Sequence, residues 1–245
     1  MITENKTEDK SLDNERIKKL DEIREKLNKR PETVKRDEVD ALEKELMGDT
    51  KSSEEMRRDL AYQLLDLWNI ASLLHKKEGD YRESLVKLKK VNRLEQLLEC
   101  PPLEQASTHL NMGTCLHFLK EHEMAINEAG TSRDILVQEL KRSELAKVTS
   151  LSAHDNSIKK KLALNLVLTY FNRAVHYFQS GDLSSHKLNA VQALELATQR
   201  FGPDEAITQM IRSLSAKPPQ DQKPFFVNKS TEPSKPRPGD RRAHV

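Results

Sequence analysis

The sequence predicts an all-α protein: an α-solenoid of about three helix–turn–helix repeats, with a helical N-terminal extension and a capping helix. Three observations predict it. Apolar residues recur at steps of three and four along most of the chain. Charged residues make up 33% and aromatics only 4%, a mixture that suits long amphipathic helices and suits sheets poorly. Three stretches also share one register, with turns at Glu78-Gly79-Asp80-Tyr81, Leu119-Lys120-Glu121-His122 and Ser180-Gly181-Asp182-Leu183. Eleven residues before Gly79, Lys120 and Gly181 stand the rings of Trp68, His109 and Tyr170, and seven before them the small Ser72, Gly113 and Ala174. Twelve residues after them come Val91, Ser132 and Ala193. Large at one place and small at two others is what antiparallel helices need when one packs closely on its neighbours.

Residues 1–12 are polar and read as disordered. Residues 13–48 form a helical extension, with Ile17, Leu20, Ile23 and Leu27 before Pro31, then Val39, Leu42 and Leu46 before Gly48. Two short helices meeting near Pro31 make either a hairpin or a brief coiled coil. Ser52 and Glu55 have the spacing of a capping box. The helix they open carries Leu60, Leu64, Leu65, Leu67, Trp68, Ala71 and Leu74, and its partner carries Leu85, Leu88, Val91, Leu94 and Leu98. Pro101-Pro102 closes that partner.

The second pair runs from about 103 to 119 and from 122 towards 148, and a Ser/Asn/Asp-rich break follows at 149–157. The third pair spans 158–179 and 183–200. Gly202-Pro203 stops one helix and opens another, Pro203 to Leu214, whose Ile207 and Ile211 cover the end of the stack. The repeat domain is therefore 54–216. Six of the ten prolines lie in 217–245, which reads as a disordered, basic tail.

Composition narrows the function classes. Lysine and arginine total 41 against 39 acids, so the net charge of +2 offers no broad field for nucleic acid or anionic membrane. No stretch approaches the roughly 20 apolar residues of a membrane span. Two cysteines, Cys100 and Cys115, cannot build a disulfide framework, and the polar start has no signal core, so a cytoplasmic location is expected. The sequons at Asn5 and Asn228 are expected to be chance matches. His109, Cys115, His117 and His122 lack zinc-type spacing. No phosphate-cradling glycine loop, nucleophile elbow or His-Glu-x-x-His run occurs. The expectation is a protein without metal, cofactor or catalytic residues.

With these residues in view, 54–216 resembles the tetratricopeptide repeat family. The likeness rests on Trp68 through Val91 with the Gly79-Asp80-Tyr81 turn, on Asn111-Met112-Gly113 with Ala125-Ile126, and on Tyr170, Ala174, Tyr177, Gly181-Asp182, Ala193 and Leu194. The spacings, 41 residues from Trp68 to His109 and 61 from His109 to Tyr170, exceed the family's usual ~34. Longer second helices account for the first interval and the 149–157 break for the second. Arg200-Phe201-Gly202-Pro203-Asp204 resembles the joint between repeats of kinesin light chains.

The resemblance implies a non-catalytic adaptor or scaffold that binds a peptide or helix of another protein in a concave groove lined by the first helices. Asn111 and Asn172 stand where asparagines of kinesin-light-chain-like repeats pair with a ligand's main chain, and Asn69 is one residue off that register. The alternative is that each asparagine caps or bridges within the stack. Phe225 and Phe226, set in a polar tail, either fold back into the protein's own groove or insert into a partner. Pro233-Ser234-Lys235-Pro236-Arg237 resembles a proline-rich ligand beside a plain linker reading. Three other functions are weighed beside it. One is a structural subunit that self-associates weakly through 13–47 and the open repeat edge. Another is a co-chaperone-like protein, against which 68–73 and 168–172 supply no cations and Arg173 falls off register. A third, an enzyme regulator or divergent enzyme, needs a polar pocket that the sequence does not reveal.

Overall fold

A computed structural model describes residues 15, 18–23, 25, 26, 29, 33–47, 54–145 and 153–227. Regular structure among them is helical throughout. It comprises α1 (helical at 18–23), α2 (Arg36–Met47), α3 (Glu54–Lys77), α4 (Tyr81–Leu97) and α5 (Pro102–Phe118). Then follow α6 (His122–Leu145), α7 (Ala153–Gln179), α8 (Leu183–Phe201), α9 (Ala206–Ser215) and a 3-10 turn at Pro219–Asp221. The expectations for 1–12, Pro31, Gly48, the Ser52 cap and Pro233–Arg237 lie outside the described residues, as do residues 149–152 of the expected break.

The described residues divide into two compact units at the Glu78–Gly79 junction. In the first, Lys19 pairs with Glu45 at 3.3 Å and Lys26 with Glu38 at 3.2 Å, so α1 and α2 run antiparallel as a hairpin. Exposed pairs of this kind contribute little; the buried stripe of Leu20, Ile23, Val39, Leu42 and Leu46 sets the packing. Trp68 Nε1 donates to Glu43 Oε1 at 2.9 Å and ties α3 to α2. This boundary falls inside 54–216, so the stretch read from sequence as one repeat domain is split, with α3 grouped beside the N-terminal helices.

In the second unit each helix from α4 to α9 packs on the next, and α5 also packs on α7. Three apolar clusters fill the space between them. One joins Leu85 and Leu88 to Met112, Cys115, Leu116 and Ala125. Another joins Ala106 to Leu136, Leu140, Leu162 and Leu166. The third gathers Val167, Phe171, Val175, Ala193, Ala197 and Ile211. The shared register has a backbone meaning: Gly79, Lys120 and Gly181 all take the left-handed conformation, with φ of 79°, 64° and 87°. Each ends a helix there, the position glycine fills without strain and lysine does not. The helices that follow the two glycine turns are capped by Asp80, accepting from the Glu83 N–H at 3.2 Å, and Asp182, accepting from the Ser185 N–H at 2.9 Å.

Three boundaries differ from the sequence reading. Helix α7 starts at Ala153 rather than 158, so residues 153–157 of the expected break are helical. Helix α9 starts at Ala206, not Pro203. Glu205 is extended at ψ 145°, and the Pro203 carbonyl is occupied by Gln209 Nε2 at 3.0 Å and Arg212 Nη1 at 3.4 Å, which makes 203–205 a turn. The largest correction concerns the tail: residues 217–227, expected to be disordered, lie against the second unit. Gln222 Nε2 donates to the Lys217 carbonyl at 3.0 Å, Pro224 is buried, and Phe225 and Phe226 pack on separate apolar clusters.

Gly113 sets how closely α5 approaches α6. A β-carbon there would meet the Ala125 carbonyl oxygen at 3.0 Å, a main-chain atom that cannot swing aside. We expect Gly113→Ala to destabilise the fold by about 1–3 kcal/mol in urea unfolding. Lys120→Gly should move the other way, stabilising by up to about 1 kcal/mol through relief of the left-handed strain.

Candidate functional site

The site is built on α5 and α7. One turn of α5 places Asn111 and Thr114 on the same face, three residues apart, and α7 contributes Asn172. All three are buried, Asn172 completely. Burial of a carboxamide with its polar atoms unmet is costly, so each must find partners. Here they find the main chain of the tail. Asn172 Nδ2 donates to the Phe225 carbonyl at 2.7 Å, while the Phe225 N–H donates to Asn172 Oδ1 at 2.6 Å. Asn111 does the same two residues on: its Nδ2 donates to the Val227 carbonyl at 2.8 Å, and its Oδ1 accepts the Val227 N–H at 2.7 Å. Each side chain thus forms the two-bond pair that a neighbouring residue makes in an antiparallel ladder.

Thr114 reinforces the first pair. Its hydroxyl lies 2.7 Å from the Phe225 carbonyl and 3.0 Å from the Leu110 carbonyl, and it accepts from Asn172 Nδ2 at 3.2 Å. That last bond crosses from α7 to α5 and holds the Asn172 carboxamide in one orientation. The bridging role considered for the asparagines and the main-chain role therefore coexist on Asn172.

The side chains of the docked segment diverge. Phe225 joins the cluster of Val167, Phe171 and Val175, its ring centroid 5.4 Å from that of Phe171. Phe226 packs on the cluster of Leu85, Leu88 and Met112. Asn69 lies in the first unit, half-buried on α3, and its main-chain carbonyl accepts the Ser72 hydroxyl at 2.8 Å. Among the residues singled out in the sequence, the structure thus gathers Asn111, Asn172, Phe225 and Phe226. Thr114 and Pro224 were missed. Thr114 was accessible to pattern reasoning, being one helical turn beyond Asn111.

The histidines resolve separately. His109 Nδ1 lies 2.7 Å from Glu128 Oε2, and Cys115 Sγ donates to the Ser84 hydroxyl at 3.3 Å. His117 meets His176 of α7, their Nδ1 atoms 3.2 Å apart, with the His122 ring 5.6 Å from that of His117. Among the described residues no group of three or more His, Cys, Asp or Glu side chains is arranged to hold a metal ion. Arg173 is buried too and donates to the Tyr177 hydroxyl at 3.0 Å.

This setting favours the neutral imidazoles of His117 and His176. Burial, then the neighbouring His122, lowers His117 to about 4. Burial, then His117, His122 and Arg173, holds His176 well below the usual histidine range. No helix among the described residues is long and apolar enough to cross a membrane. No family model matches the sequence, and a search of the curated proteins finds no match.

The histidine environment fixes a pH dependence. The unfolded chain protonates these imidazoles near 6.5, whereas the folded chain resists doing so. Their contribution is fully present above pH about 6.5 and is lost as pH falls towards 4. The slope is at most about 1.4 kcal/mol per pH unit for each imidazole, less for part-exposed His117 because solvent screens it. Urea midpoints at pH 7.5, 6 and 5 should fall accordingly, and a His117→Gln/His176→Asn chain should show a flatter profile over that range.

Proposed function

We propose that this chain is a non-catalytic adaptor of the cytoplasm, an irregular tetratricopeptide-like solenoid that holds an extended peptide of a partner protein. One observation carries the reading: the carboxamides of Asn111 and Asn172 each pair with both main-chain groups of a residue, two positions apart on one extended segment. That is the bonding a groove needs to grip a peptide by its backbone. The left-handed φ shared by Gly79, Lys120 and Gly181 supports the repeat register from which the groove was read.

The experiment must first vacate the groove. A Phe225→Ala/Phe226→Ala chain, used as bait in its own cell, should retain partners that are lost when Asn111→Ala/Asn172→Ala is added, with helical content unchanged. An identical partner set for both baits would count against the groove.

Leu183, Leu188 and Val191 on α8 are more than half exposed, which favours a second reading, self-association. Sedimentation velocity separates the two: the adaptor reading expects a concentration-independent monomer, and the structural subunit a mass that rises with concentration.

A further inference from the structure

We propose that Pro224–Val227 is a competitor built into the chain, and that the external ligand of the groove is an extended peptide with two adjacent aromatic residues followed by an aliphatic one. This rests on reading the groove as a peptide site. Carboxamides recognise main chain alone, so Asn111 and Asn172 are indifferent to sequence. Selectivity resides in the side chains of the segment between and around them.

Successive side chains of an extended strand leave on opposite sides. Phe225 and Phe226 follow this rule and reach two different apolar clusters, one centred on Phe171 of α7 and one on Leu85, Leu88 and Met112 of α4 and α5. An apolar receptor on each side of one main chain selects aromatics at neighbouring positions. Pro224, buried just before them, lacks an N–H that would need a partner and has its φ already fixed in an extended range. Val227 is half-buried, and its main chain closes the second carboxamide pair. The recognised chemistry is therefore proline, aromatic, aromatic, aliphatic.

Attachment makes the internal copy hard to displace. A short tether holds its segment at an effective concentration of roughly millimolar. A free peptide with the same contacts must exceed that concentration, and a partner must add contacts beyond these four residues.

The test uses a fluorescein-labelled peptide, Asp-Gln-Lys-Pro-Phe-Phe-Val-Asn, and the same peptide with both phenylalanines replaced by alanine. Anisotropy is read with the full chain, with the Phe225→Ala/Phe226→Ala chain, and with that chain also carrying Asn111→Ala/Asn172→Ala. We expect the aromatic peptide to bind the phenylalanine-free chain at least tenfold more tightly than the full chain. Its alanine counterpart should bind at least tenfold more weakly, and the asparagine changes should abolish the gain. Equal affinity for both peptides would overturn the aromatic selectivity while leaving the groove reading intact. Equal affinity of the aromatic peptide for full and phenylalanine-free chains would overturn the competitor. Binding of neither peptide to any chain would overturn the groove reading as well. Should the phenylalanine-free chain lose helicity, the full chain itself serves. Excess aromatic peptide, but not its alanine form, should speed hydrogen exchange at the Phe225 and Val227 amides, and unchanged exchange would overturn the proposal.

Discussion

A main chain laid across helices has a difficulty that a strand in a sheet does not: its N–H and C=O groups have no ladder to join. Each one left dry costs about 1–3 kcal/mol. In this protein the carboxamides of Asn111 and Asn172 supply the missing ladder, each offering one donor and one acceptor at the spacing a peptide unit requires. The packed helices of the second unit keep both groups buried.

The scaffold supports the pair in two ways. Gly113, two residues after Asn111, lets α5 approach the α6 backbone, and α5 in turn packs on α7. The Thr114–Asn172 hydrogen bond then links the two asparagine-bearing helices directly. The Asn172 carboxamide is thereby oriented from within the helix packing, whereas the Asn111 carboxamide is oriented by its two bonds to Val227.

The helices were legible because their signals are local: the three- and four-residue spacing, the turn residues, and the closing prolines at 101 and 102. The asparagines were legible through register, since each stands two residues before a small residue that marks close packing. The tail was not. Its composition, six prolines among scattered charges, reads as disorder, and only the Phe225-Phe226 pair contradicted that impression. What orders it lies more than fifty residues away on α7 and more than a hundred away on α5, beyond any periodicity a sequence displays. The start of α9 was misread for a similar reason. Proline at 203 fits a first helical turn locally, but its carbonyl is captured by Gln209 and Arg212, six and nine residues on.

Because Asn172 takes residue 225 and Asn111 takes residue 227, the spacing of the two carboxamides is matched to two steps of an extended chain, about 6.6–6.8 Å. The helical scaffold behaves as a ruler graduated in peptide dimers. A bound segment shifted by a single position would keep its main-chain partners yet exchange its two faces, carrying each ring away from its own apolar cluster. Phase, not hydrophobicity alone, sets where the two rings of this segment lie.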